Sequence, residues 1–205
     1  MRFLPAGRSA VLVEVDDLAA VLGLSDEIDR RRAAGWAPTL VDVVPGARTV
    51  LLDGVEDPAE VARDLQSWTI PPRSAEVGEV LEIGCRYDGA DLAEVARQWD
   101  VSVPEAVEIH TATPYSVAFC GFGPGFAYLA GLDERHAVAR RDSPRPVVSA
   151  GSVAVGGLYT GIYPRPSPGG WQLLGRTDAV LWDASRQPAA LLQPGQRVRF
   201  VDLGR

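Results

Sequence analysis

Lysine and asparagine are both absent from the 205 residues, so all 20 basic side chains are arginine. The lack of lysine excludes whole classes of chemistry. A P-loop ends in Gly-Lys-Ser/Thr, Schiff-base catalysis needs a lysine amine, and covalent biotin needs a lysine to carry it, so none of the three belongs to this chain. Cysteine is scarce: Cys85 and Cys120 lie far apart without Cys-x-x-Cys spacing, and the two histidines, His110 and His136, are separated by 26 positions. No metal site is expected, and free thiols point to a reducing compartment. There is no apolar run long enough to span a bilayer and no basic-then-apolar leader after Met1, so a cytoplasmic protein is expected. A formal net charge of -7 argues against nucleic acid or an anionic membrane as the main partner, although local arginine clusters can still bind one small anion.

What is present reads first as alternating strands and helices. Arg2 to Leu4 and Ala10 to Val15 predict a hairpin, and Asp16 or Asp17 caps a helix to about Arg32, with Gly35 beyond its end. Glu27, Asp29 and the Arg30 to Arg32 run read as the solvated side and end of that helix in preference to a binding patch. Thr39 to Val44 and Thr49 to Leu52 flank a Pro45-Gly46 turn, and Asp57-Pro58 opens a second helix to about Trp68. The order strand, strand, helix, strand, strand, helix resembles a ferredoxin-like α/β sandwich over residues 1–75, closed by a linker at Ile70-Pro71-Pro72-Arg73-Ser74.

Beyond the linker, residues 76–205 change character. Val80 to Cys85 reads as a strand, Asp91 with Glu94 as a capping box, and Ser102 with Glu105 as another, which leaves His110 at a helix C-terminus where the dipole favours its protonated form. From Tyr115 onward, short strand-like segments alternate with Gly/Pro turns. That spacing indicates a β-barrel or sandwich, and the fold class is therefore α+β.

The loops of this second part carry the chemistry. Gly121-Phe122-Gly123-Pro124-Gly125-Phe126 lacks the Lys-Ser/Thr of a phosphate loop, and its glycines alternate with rings, so it reads either as a loop holding aromatics against a pocket or as a barrel corner. Arg140, Arg141 and Arg145 surround Ser143-Pro144, and three guanidiniums on a proline-stiffened loop can clamp a carboxylate or phosphate. Neither Ser152 nor Ser167 sits in Gly-x-Ser-x-Gly, and Cys120 reads as a buried thiol before it reads as a nucleophile paired with His110. If the turns project Phe122, Phe126, Tyr128, Tyr159, Tyr163 and Trp171 outward, those rings form a partner surface; the competing expectation is that Trp171 is barrel core.

Taken together, His110-Thr111, GFGPGFAYLAGL, the RR-x-x-PR run, SAGSVAVGG, TGIYPRPSPGGW and LLGRT resemble the family of the 5-oxoprolinase B subunit (PxpB), also called KipI or allophanate hydrolase subunit 1. The chain departs from the family pattern at Ala139 and Ser149, where proline is usual. The resemblance implies a cyclophilin-like β-barrel for the second domain. It implies partners as well: the 5-oxoprolinase C subunit, of the KipA or allophanate hydrolase subunit 2 type, and the A subunit, of the LamB/YcsF type. In that assembly ATP drives hydrolysis of 5-oxoproline to glutamate. Within this resemblance His110, Arg145 and Ser152 are the catalytic candidates. Phe122, Gly125, Phe126, Arg140, Arg141, Gly151, Tyr163, Ser167, Gly169 and Trp171 are the substrate-binding candidates. Two other roles stand beside the first: half of a biotin-dependent carboxyltransferase of the urea carboxylase type, and an inhibitor of a sensor histidine kinase. The Ser-Ser-Lys triad of allophanate-cleaving amidases is excluded by the missing lysine.

Overall fold

The computed structural model describes residues 1–70 and 79–204. The chain divides into two compact units, Met1–Val77 and Gly78–Arg205. The expected boundary after residue 75 and all of the expected linker except Ile70 lie outside the described residues.

In the first unit β1 (Arg2–Pro5) and β2 (Ala10–Glu14) form the expected hairpin, with Phe3 opposite Val13. Asp17 stays extended and accepts the Ala20 N–H, which starts α1 (Leu18–Ala33). A second hairpin of β3 (Asp42–Pro45) and β4 (Thr49–Asp53) precedes α2 (Pro58–Ser67), capped by Asp57 through the N–H groups of Ala59 and Glu60. The sheet order is β1-β2-β4-β3 with every neighbour antiparallel, so β2 and β3 run parallel with β4 between them. The segment β2-α1-β3 is thus a split crossover. Strand alternation puts Val11, Val13, Val50 and Leu52 into a core with Val21, Leu24 and Ile28 of α1 and Leu65 of α2.

Arg30 and Arg32 are exposed at the end of α1, as the composition predicts, while Arg31 is half-buried and Glu27 does not face water. Glu27 is buried and accepts from Arg30 Nε at 2.8 Å and Arg31 Nε at 2.6 Å, bonds that hold its carboxyl down at about 2. Arg31 also lies 4.0 Å from the centre of the Trp68 ring, and Arg32 donates to the carbonyls of Leu40 and Val41. Each guanidinium has a partner that lies elsewhere in the tertiary fold or one helical turn back.

The second unit is strand-rich. Its elements are β5 (Val80–Cys85), α3 (Leu92–Gln98), α4 (Val103–Ala112), β6 (Tyr115–Cys120), β7 (Ala127–Ala130), β8 (Arg145–Val148), β9 (Ser152–Gly156), β10 (Tyr159–Ile162), β11 (Ser167–Gly169), β12 (Gln172–Arg176) and β13 (Arg197–Asp202). Seven strands form one sheet in the order β12-β9-β10-β7-β6-β13-β5, while β8 pairs with β11 in a separate ribbon. The two edges of the large sheet meet through a reciprocal pair, Arg86 N–H to Arg176 O at 2.8 Å and Arg176 N–H to Arg86 O at 2.9 Å. The sheet is therefore a nearly closed barrel, which leaves little free edge. Gly175 permits the seam, because a Cβ there would stand 2.2 Å from the Arg86 carbonyl oxygen.

Val117, Leu129, Val153, Val155 and Phe200 line the barrel core and pack with Val95, Ala96 and Ala106 of α3 and α4, each large side chain contributing about 2 kcal/mol on burial. The Ser102 and Glu105 capping box forms as expected. Two strands escape the sequence reading. β7 is hidden in the aromatic continuation of the glycine loop, and β11 in a Ser-Pro-Gly stretch that lacks β-formers. Among the described residues no helix is long and apolar enough to cross a membrane.

Candidate functional site

The site is built around one carboxylate. Arg141 is fixed because its N–H donates to Gly170 O at 2.8 Å, and Arg145 because β8 pairs with β11, setting Gly169 opposite it. Both guanidiniums reach Asp91, Arg141 from Nη1 at 3.2 Å and Arg145 from Nη2 at 2.8 Å, on the same oxygen Oδ1. The other oxygen, Oδ2, accepts the Leu173 N–H at 2.8 Å. Asp91 is only 7% exposed, so its charge is neutralised inside the unit.

This overturns the expected capping box at Asp91. The Asp91 side chain makes no cap bond to α3, and Glu94 bonds instead to Arg97 and Gln98. Sequence reasoning missed Asp91 as a site residue, since an acidic residue before a helix looks like a cap whatever lies 50 positions downstream.

One carboxylate does not exhaust two guanidiniums. Arg141 Nε and Arg145 Nη1 are buried and have no hydrogen-bond partner among the described residues, and the same holds for Gln172 Oε1. Gln172 belongs to the same network, because its Nε2 donates to Ala139 O at 3.1 Å, two residues before Arg141. These two donors are closed to solvent, so an oxygen anion reaching the cluster would first meet Arg140 and the exposed part of Arg141, side chains suited to binding it. Arg140 is exposed, with Cζ 6.0 Å from the centre of the Trp171 ring and no ion pair among the described residues.

The aromatic candidates separate. Phe126, Tyr163 and Trp171 are buried with Val148 and Ala154 in a second core, their rings meeting edge to face at 5.5 to 5.6 Å. The expected outward projection of these three is therefore corrected: they pack inward because the β8-β11 ribbon and β9 enclose apolar area with them. Tyr128 and Tyr159 are half-buried against the same cluster. Phe122 alone of the group is exposed. Burial pushes the Tyr163 phenol up, against the pull of the Trp171 N–H and of Arg140 and Arg145.

The glycine candidates are also accounted for by packing. A Cβ at Gly151 would lie 2.3 Å from Thr177 O, and one at Gly169 would lie 2.2 Å from the Tyr163 hydroxyl oxygen. Gly125 is at φ +82° against Trp182 and Leu181.

The catalytic candidates are not brought together. His110 is fully buried in the barrel core, where its Nδ1 lies 2.7 Å from Tyr87 OH and its Nε2 lies 3.2 Å from Thr160 Oγ1. Desolvation drives its pKa down to about 3, so the helix dipole that was expected to favour the cation loses to burial. A neutral imidazole sealed among Tyr115 and Phe200 cannot touch a substrate, which corrects its placement among the catalytic groups. Ser152 opens β9 opposite Arg176 and is buried, and Ser167 donates only to Arg165 O at 3.4 Å. Among the described residues no hydrogen bond joins either serine to the Asp91 cluster. Burial raises the Cys120 thiol, so it is no ready nucleophile. A separate cleft of about 510 Å³ lies between Arg86, Asp88, Leu92, Val103 and Arg176, and none of the candidate residues lines it.

The sequence from residue 1 to 192 matches the family model described as carboxyltransferase domain, subdomain C and D. The 5-oxoprolinase B subunit of Haemophilus influenzae is 36% identical over 207 residues, covering 98% of this chain and 97% of that protein. The 5-oxoprolinase B subunit of Escherichia coli O157:H7 is 43% identical over 171 residues, covering 80% of this chain and 78% of that one. The chain belongs to the family of the 5-oxoprolinase B subunit. The family fold extends to solved structures: the crystal structure of TTHA0988 superposes with a TM-score of 0.79 at 36% identity, covering 94% of this chain. This chain spans 40% of that longer polypeptide.

Proposed function

We propose that this protein is the B subunit of an ATP-dependent 5-oxoprolinase, a hydrolase component that turns over 5-oxoproline to glutamate only in complex with partners of the C and A types. The observation that carries the reading is the match to curated 5-oxoprolinase B subunits along nearly the whole chain. The site chemistry agrees with it. The substrate is a carboxylate, and Arg140, Arg141 and Arg145 are the groups that would bind it, with Asp91 orienting the last two. ATP is consumed by the complex. Two thiols that form no disulfide support a cytoplasmic setting.

The finer fold assignments belong to the same reading. The split β2-α1-β3 crossover in an antiparallel sheet supports a ferredoxin-like first domain, and the nearly closed seven-stranded sheet supports a cyclophilin-like second one. Carboxyl transfer with carboxybiotin held by another chain is the second reading, favoured by the description of the matching family model.

Reconstitution tests both. The protein is mixed with purified partners of the C and A types, and glutamate release from 5-oxoproline is followed with and without ATP. Glutamate is expected only from the full mixture with ATP. No release from a verified complex, together with carboxyl transfer when a carboxybiotin carrier is supplied, would replace the first reading by the second.

A further inference from the structure

Phe122 stands at φ +66° and is 62% exposed. The left-handed region is strained for a bulky side chain, and a strained residue persists only where its surroundings hold it. Here the loop is tied at both ends. Gly121 N–H donates to Phe126 O at 3.2 Å, Gly123 N–H to Gly121 O at 2.7 Å, and Phe126 N–H to Gly123 O at 3.0 Å. On its inner side the Phe122 ring meets Phe126 and Tyr163 edge to face, at centroid distances of 5.2 and 6.2 Å. Its outer face meets solvent.

A second rigid loop runs alongside. Gly125 lies so close to it that a Cβ would stand 2.9 Å from Trp182 Cβ and 3.1 Å from Leu181 O. This neighbour exposes Trp182 at 45% and Val180 at 61%. It is stiffened from within by Arg186, whose Nη2 donates to the carbonyls of Val180, Leu181 and Ala189. The Arg165 guanidinium lies beside Gly123 of the same loop as Phe122, 3.6 Å from where a Cβ would be, and has no ion pair among the described residues. Two exposed aromatics are thus presented from touching, preformed loops beside an unpaired positive charge.

We propose that Phe122, Val180 and Trp182, rimmed by Arg165, form the docking face for a second protein chain that offers an apolar cleft with an acidic rim. This rests on the heteromer reading above and assigns its surface. Rigid aromatic anchors lose little conformational entropy on binding and are enriched among interface hot spots. An unpaired guanidinium at the rim selects an acidic neighbour. TTHA0988 carries its matching part within a longer chain, so this fold occurs joined to further polypeptide.

Calorimetric titration of the C-type partner into the wild type and into Phe122→Gly, Trp182→Ser and Arg165→Glu tests the proposal, with melting temperatures read beside the affinities. Phe122→Gly is expected to weaken binding by about 30-fold or more while its melting temperature holds or rises, because glycine adopts φ > 0 without strain. Trp182→Ser is expected to lose a similar factor, and Arg165→Glu about tenfold. Wild type that binds while both aromatic variants bind within twofold of it overturns this surface and leaves the heteromer standing. Wild type that does not bind at all overturns the heteromer reading first and this proposal with it. A wild type that self-associates and is rendered monomeric by Phe122→Gly places a second copy of this chain on the face and overturns the assigned partner.

Discussion

Arg145 reaches back 54 positions to Asp91, Nη2 to Oδ1 at 2.8 Å, and Arg141 shares the same oxygen. The buried carboxylate, and not the arginines that stand out in the sequence, is the centre of the cluster. It ties the loop before β8 and the start of β8 to the start of α3 and to β12 through Leu173. Removing it would leave two guanidiniums facing each other with no counter-charge.

Asp91→Ala is accordingly expected to destabilise the protein by about 3 kcal/mol, the lower end of what breaking a buried pair costs, since Arg141 keeps some exposure to water. Asp91→Asn should cost less, because an amide oxygen can still accept the Leu173 N–H. Urea unfolding of both variants measures this. A loss below about 0.5 kcal/mol for the alanine variant would show that the arginines are held by other contacts.

Arg140 and Arg145 should separate binding from stability. Arg140 has no ion pair among the described residues, so Arg140→Ala is expected to leave the melting temperature unchanged while reducing the reconstituted rate about tenfold. Arg145→Ala should lower both. Steady-state kinetics alongside thermal melts decide the matter; a full rate from Arg140→Ala would remove it from the anion site.

Trp171 is core, and Gly156 lies flat beneath its indole, where a Cβ would come 2.7 Å from the ring. Trp171→Ala is expected to cost about 3 to 5 kcal/mol while the folded fraction keeps its affinity for the C-type partner. Gly156→Ala should destabilise as well, through overpacking. Weakened affinity in a Trp171→Ala protein of normal stability would return this ring to the interface.

The buried His110 makes stability depend on pH. Its pKa is about 3 in the fold and about 6.5 when unfolded, so between those values the unfolded chain takes up a proton that the folded one refuses. The contribution is fully present above 6.5 and is lost as pH falls toward 3, with a slope of up to about 1.4 kcal/mol per pH unit. His136 is also depressed, so the measurement is the difference between wild type and His110→Gln in chemical unfolding across about pH 5 to 6.5. Identical slopes would mean that His110 is not sealed from water.

Local signals were legible wherever a residue acts on its own neighbours. Asp17, Asp57 and the Ser102 and Glu105 pair cap the helices they precede, and period-two alternation at Val11 and Val13 puts both in the core. Where a side chain has a choice between a local and a distant partner, the sequence misleads. Asp91 could have capped α3 and instead found two guanidiniums far along the chain, because a buried charge needs a counter-charge more than a helix needs a cap; Arg31, paired locally with Glu27, also lies over the distant Trp68 ring instead of facing water.

By itself the amino-acid sequence determined which chemistry is excluded, since a chain without lysine can form neither a Schiff base nor a biotin link in any fold. It determined the alternation of strands and helices and, through its glycine and arginine motifs, the family. Tertiary structure decided which candidates meet. His110, read at a helix end, went into the core because that helix packs on β13, and Phe126, Tyr163 and Trp171 turned inward while Phe122, in the same loop as Phe126, was held outward at positive φ. Burial depends on what the rest of the chain places around a residue, and motif spacing along the sequence carries no record of that.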